Sequence, residues 1–249
     1  MIYFRPDIEL ATVLGPQRAA EEKLGGLPWG LPLGQWPMCS SCHKPQTLLA
    51  EFHHVESRLD LGAAGRTLFV FHCANEPGMC DDWDQDSGGN AAFVVEASAL
   101  DSGLTQPRPG TPVYPEARIL SWVELEDTIP HHLVQSFFTD KLYLSLGESV
   151  IDRVTMGTKL GSVPRWIQSS DESPPGFRFV GQLDSSYSFY RSLPPGTARE
   201  GLQGGPDTQA FEGRTWWADG PNFGDGGIGY LFLRETELLP EFKFFWQCG

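Results

Sequence analysis

Four cysteines fall in two close pairs, Cys39-x2-Cys42 within MCSSCHKP and Cys73-x6-Cys80 within FHCANEPGMC. The first pair lies in a polar turn ahead of the apolar run TLLA. The second directly follows the strand-like LFVF. A turn with two thiolates, a strand pair and a second turn with two thiolates is how a chain builds a closed tetrahedral zinc site. Zinc is borderline-soft and imposes no d-electron geometry, so four thiolates satisfy it and leave no position for substrate. Cys39, Cys42, Cys73 and Cys80 are therefore expected to hold a structural Zn2+, with His43 or His72 as substitutes for one sulfur. Free or paired thiols are the alternative, and the wider second spacing keeps it open. Cys248, in FWQCG, has no second thiol beside it and reads as a small buried hydrophobe.

Other chemical motifs are weaker. FGDGGIGYLF holds a literal G-x-G-x-x-G at Gly224, Gly226 and Gly229, but a strand-like segment follows where dinucleotide binding needs a helix. The glycines are expected to form a tight turn at positive φ. Asp82, Asp84 and Asp86 take the first, third and fifth places of a calcium loop. Ser87 and Phe93 then stand where an EF-hand needs Gly and Glu, so a turn is expected. His53-His54 and His131-His132 are adjacent in sequence, and strand neighbours point to opposite faces, so neither pair forms one ligand set. No nucleophile–base ordering stands out. A hydrolase or small-ligand site between the halves is kept only as an alternative.

These turns need strands to position them, and the chain supplies strands in a repeating order. KLGGLPW at 23–29 and KLGSVPRW at 159–166 each precede turn residues and then a strand-like segment, 48–54 (LLAEFHH) and 179–184 (FVGQLD). Each half continues with a second apolar strand, 66–71 (RTLFVF) and 229–233 (GYLFL), and closes on 92–95 and 242–246. The order predicts an α+β, predominantly β fold: two related β-rich units from an internal duplication, 1–128 and 129–249, with a zinc-binding insertion in the first. Residues 117–126 (ARILSWVELE) alternate as a strand. Helices are expected at 15–24 and at 130–146, the latter with Val134, Phe137, Phe138 and Leu142 as its apolar stripe. Residues 101–115 and 192–208 read as Pro/Gly-rich loops, the second as a mobile one.

The 249 residues carry 32 acidic and 18 basic side chains, a formal net charge of -14. That field opposes direct nucleic-acid and membrane contact and favours a basic protein partner, although acidic surfaces also serve solubility. Five cysteines, no long apolar run and no signal-like pattern in MIYFRPDIEL fit a reducing cytoplasm.

KLGGLPW, CSSCHKPQTLLAEF, LFVFHCANEPGMCDDWD-x4-GGNAAFVV, FGDGGIGYLF and FKFFWQCG together resemble the bacterial YwqG-like family, over about residues 23–249. The paired cysteines also resemble the programmed cell death protein two family and its yeast ribosome-assembly counterpart. That resemblance implies a non-enzymatic, protein-binding role, as a dedicated chaperone for a basic client such as a ribosomal protein. Some bacterial members lie near toxin systems, which implies an immunity protein as the alternative. Exposed aromatics and acids in loops are the candidate contacts: Trp83, Asp84, Trp216, Trp217 and Asp225.

Overall fold

The computed structural model describes residues 1–151, 157–189, 203–204 and 216–249. In chain order the strands are β1 (Ile2–Leu10), β2 (Lys23–Leu24), β3 (Thr47–His53), β4 (Thr67–His72), β5 (Asn90–Val95), β6 (Ala117–Glu126), β7 (Lys159–Gly161), β8 (Arg178–Asp184), β9 (Ser186–Phe189), β10 (Gln203–Gly204), β11 (Trp216–Asp219), β12 (Ile228–Arg234) and β13 (Glu241–Gln247). Ten form one antiparallel sheet, in the order β13-β12-β8-β7-β1-β6-β2-β3-β4-β5. Its two end strands, β5 and β13, lie against each other without a hydrogen-bonded ladder, so the sheet is nearly closed. β10, β11 and β9 make a separate small sheet.

The strands that read as continuous apolar runs are covered on both faces. Along β4, Leu68 and Val70 enter the main core while Phe69 and Phe71 enter a second cluster with Leu31, Leu48 and Val95. Along β12, Leu231 and Leu233 enter the main core while Tyr230 and Phe232 join Val163, Trp166, Phe179 and Phe245. Alternate residues of a strand point to opposite faces, so LFVF and YLFL each serve two cores. Each fully buried Phe or Leu contributes about 1.5–3 kcal/mol.

Several local features recur on the two sides of the central β1–β6 pair. The β3–β4 register shifts between Leu48 and Ala50. The β12–β8 register shifts at the step where Gly181 and Phe179 succeed one another as partners. Lys23 pairs with Glu51 and Lys159 with Gln182. Six residues after each lysine, the backbone N–H of Trp29 donates to Glu51 Oε2 (2.9 Å) and that of Arg165 to Gln182 Oε1 (3.2 Å). The residues two and three places after each lysine all have positive φ: Gly25 and Gly26, then Gly161 and Ser162. At Gly25 a Cβ would sit 2.3 Å from the Pro115 carbonyl oxygen, so glycine is required there.

The expected helices differ from the observed ones. Residues 15–24 are not helical. A single turn at Ala11–Leu14 ends at Gly15 (φ 76), Pro16 follows, and Lys23–Leu24 is drawn into the sheet between β6 and β3. Residues 130–146 split into a 3-10 helix, His131–Phe138, and a short α-helix, Asp140–Tyr143, because Thr139 is extended. The tighter 3-10 winding breaks the expected stripe: Phe137 is buried while Leu142 is 47% exposed. Segment 192–208 lies outside the described residues except for β10. Among the described residues no helix is long and apolar enough to cross a membrane.

Candidate metal centre

Cys39 and Cys42 sit in a turn closed by a bridge between Met38 and Pro45. Within it Cys39 N–H donates to the Lys44 carbonyl and His43 N–H to the Cys39 carbonyl, both at 2.9 Å. His43 takes φ 58 to complete the turn. Cys73 follows the end of β4, and its N–H donates to the Gly89 carbonyl at 2.8 Å. Ser40 N–H and Gln46 Nε2 both donate to the Gly88 carbonyl, at 3.1 Å each. Asn75 Nδ2 donates to the Pro45 carbonyl at 2.8 Å. These bonds fasten the two cysteine turns to one another.

The four sulfurs lie within 4.8 Å of one another, and Cys42 Sγ is 3.6 Å from Cys73 Sγ. Bonds of about 2.3 Å to a tetrahedral metal give sulfur–sulfur edges of about 3.8 Å. A disulfide needs about 2.05 Å, and all five cysteines are free. Cys39, Cys73 and Cys80 are buried and Cys42 is partly so. Asn75 Nδ2 approaches Cys73 Sγ at 3.5 Å. Burial, then the neighbouring sulfurs, push the Cys80 thiol upward. Four converging thiols in a dry site are poorly stable as thiolates unless a cation lies between them. The donor set therefore fits a metal ion, and the four cysteines could bind one. His43 and His72 lie outside this group of ligands.

His72 is engaged elsewhere. Its Nδ1 meets Asp82 Oδ2 at 2.8 Å and its Nε2 meets the Tyr114 hydroxyl at 2.7 Å. Burial pushes the Tyr114 phenol up to about 12. Asp82 also accepts from Trp246 Nε1 at 3.1 Å, and Asn222 N–H donates to the Tyr114 oxygen at 3.3 Å. His72, Cys73, Asp82, Tyr114 and Trp246 line a cavity of about 130 Å³ between the cysteine loop and β13. This network was not legible in the sequence, because its members are 10 to 164 residues apart.

The three aspartates that begin like a calcium loop face different partners. Asp82 binds His72 and Trp246, Asp84 accepts from the Asp86 N–H at 2.7 Å, and Asp86 pairs with Lys243. Gly224 and Gly226 take positive φ in a turn, as expected, while Gly229 lies within β12. Cys248 is half-buried and outside the cysteine cluster.

Among the candidate contacts, Trp83 is 40% exposed and meets Trp246 edge-to-face at 6.3 Å. Asp84 and Asp225 are exposed, Asp225 in the turn before β12. Trp217 is half-buried in β11, opposite Ser188, and Trp216 is the neighbouring residue of that strand, opposite Phe189. Trp83 and Asp84 thus share the cysteine loop, whereas Trp216 and Trp217 belong to the small sheet.

Sequence reasoning also missed two wholly buried lysines, Lys23 and Lys159. Lys23 Nζ lies 2.5 Å from Gln17 Oε1, 3.5 Å from Glu116 and 3.9 Å from Glu51. Burial lowers its pKa, and the two carboxylates oppose that shift. Lys159 Nζ donates to the Val163 carbonyl at 2.8 Å. Burial, only partly opposed by Asp127, brings its pKa down to about 7. The recurrence of K-L-G was the signal that could have found them.

No family model, curated protein or solved structure matches this chain.

Proposed function

We propose that the chain is a non-enzymatic cytoplasmic protein-binding module that holds a basic client, in the manner of the YwqG-like and programmed cell death protein two families it resembles. The observation that carries this reading is a buried four-thiol cluster beneath an acidic, partly apolar loop. Glu76, Asp81, Asp84 and Asp86 are exposed there, with Met79 at 75% and Trp83 at 40% exposure. A four-sulfur site suits zinc by ligand softness and geometry. Such a site is closed to substrate, so its work is to hold the loop in shape. The net charge of -14 adds long-range attraction for a basic partner. The action is stoichiometric: bind, shield and release.

We further propose that the two sides of the sheet descend from one duplicated unit, with the metal-binding turns present in the first. The recurring lysine, the paired positive-φ residues and the register shift on each side support that reading.

Two measurements test the function. Elemental analysis of the purified chain is expected to give one zinc per molecule; iron with sulfide absorbance, or a metal-free chain of equal stability, overturns the zinc assignment. Affinity capture at moderate salt is expected to retain one recurrent basic protein. Retention of a single acidic or toxin-like protein, or of nothing, overturns the basic-client reading.

A further inference from the structure

We propose that the open edge of β6, from Ser121 to Glu126, takes up an extended basic segment of the partner as an added strand. The proposal rests on the protein-binding reading and assigns a surface to it. β6 pairs with β1 along its whole length, but on its other side β2 meets only Ala117 and Arg118. Ile119 N–H is then taken by the Glu22 carbonyl at 2.8 Å. Beyond that point no described strand lies on this side, and none of the described backbone groups hydrogen-bonds to residues 121–126 there.

The matching stretch of β1 is covered. β7 meets β1 only at Tyr3 and Phe4, yet Pro6, Ile8 and Glu9 are buried and β9 packs on β1. On β6, by contrast, Leu120 is 47% and Val123 38% exposed. The edge is also charged in one sense. Glu124 and Glu126 are exposed and have no ion-pair or hydrogen-bond partner among the described residues. Arg58, stacked 4.5 Å from the Trp122 ring, is held by Glu22 at 2.7 Å, and Arg118 is held by Glu21 at 3.0 Å.

An unpaired strand edge is a template for another strand. Main-chain bonds then give affinity and alternate side chains give selectivity. Glu124 and Glu126 share one face of the strand, and Val123 lies on the other. The guest that fits alternates Lys or Arg with β-branched apolar residues. A second copy of this chain would bring like charges together across the new ladder, which is unfavourable.

The probe is a fluorescein-labelled eight-residue peptide of alternating Lys and Val, titrated into the full chain. Saturable binding is expected, together with slowed deuterium exchange at residues 121–126. The E124K/E126K double variant, with an unchanged circular dichroism spectrum, is expected to bind about tenfold more weakly. The same peptide methylated at every backbone nitrogen has no N–H to give to a ladder and is expected not to bind. Equal binding of that peptide, protection only elsewhere in the chain, or a dimer of the unliganded chain joined through β6 overturns the proposal. If E124K/E126K captures a basic client from lysate as well as the parent chain does, the edge assignment fails while the client reading stands. If neither captures one, the client reading itself fails.

Discussion

Lys23 and Lys159 occupy matching places on the two sides of the sheet, and both are wholly buried. Their surroundings are opposite in kind. Lys23 faces Glu51 and Glu116, whereas opposite Lys159 stands the neutral Gln182, and its nearest acceptor is a backbone carbonyl. On one side two carboxylates oppose the loss of charge that burial favours. The other buries the same side chain by making it easy to neutralise. The loops beyond β4 and β12 differ as sharply. After β4 come the residues that carry Cys73 and Cys80, while β12 returns to β13 across a short turn with Arg234 bonded to Glu241. Beneath both, the aromatic arrangement is alike: Phe71 stacks on Phe93, and Phe232 on Phe245. The two sides of the sheet thus end differently, one in a loop that carries a cluster of thiols and one in a turn closed by an ion pair.

The largest expected effect comes from disrupting the four-cysteine cluster. A strong chelator, or Cys73→Ser, is expected to lower the melting temperature by more than about 10 °C, because metal binding is coupled to folding. The loss is not expected to stop at the first half. Trp246 N–H donates to the Trp83 carbonyl at 3.3 Å, and Lys243 pairs with Asp86, so the cysteine loop holds β13. Hydrogen exchange is the check: β13 amides that stay protected after chelation would separate the two halves.

Next in size are the lysines. Lys23→Met leaves two carboxylates without their buried partner and is expected to cost about 3–5 kcal/mol. Lys159→Met strands no anion and leaves only the Val163 carbonyl without its donor, so it is expected to cost less, at most about 1–3 kcal/mol. Urea denaturation of the pair gives the contrast directly, and equal losses would break it. Trp246→Phe is smaller, at about 1–3 kcal/mol, since it takes one donor from the buried Asp82.

The smallest effect per step is on pH. The pKa of Lys159 is about 7 folded, against 10.5 when unfolded. Below about 7 both states hold the proton and the burial penalty is complete. Between about 7 and 10.5 the unfolded chain carries more protons, so stability rises with pH, by at most about 1.4 kcal/mol per unit. The difference between parent and Lys159→Met is expected to follow that slope; a flat difference would mean that Lys159 stays charged throughout.

Much of the β framework was legible because it depends on local pattern. Residues 117–126 alternate and form β6 with those bounds. The runs TLFVF and GYLFL lie in β4 and β12, whose two buried faces favour apolar residues, and FVGQLD lies in β8. The helices at 15–24 and 130–146 were misread because their apolar spacing carries no record of Gly15, Pro16 and Thr139 interrupting it, or of β6 and β3 recruiting Lys23.

Residue type and spacing by themselves determined the cysteine quartet, since a turn ahead of one strand and a loop after its antiparallel neighbour meet at the same end of the pair. They also placed the runs that form β3, β4, β6, β8 and β12, and set the acidic balance of the chain. Only the tertiary structure decided that Asp82 turns inward to His72 and Trp246, that Lys159 is buried without a carboxylate opposite it, and that beyond Ile119 β6 has no second strand neighbour among the described residues. Those outcomes depend on which distant strand arrives alongside. Burial and pairing between residues far apart in the chain are properties of the closed sheet, and no local window of sequence contains them.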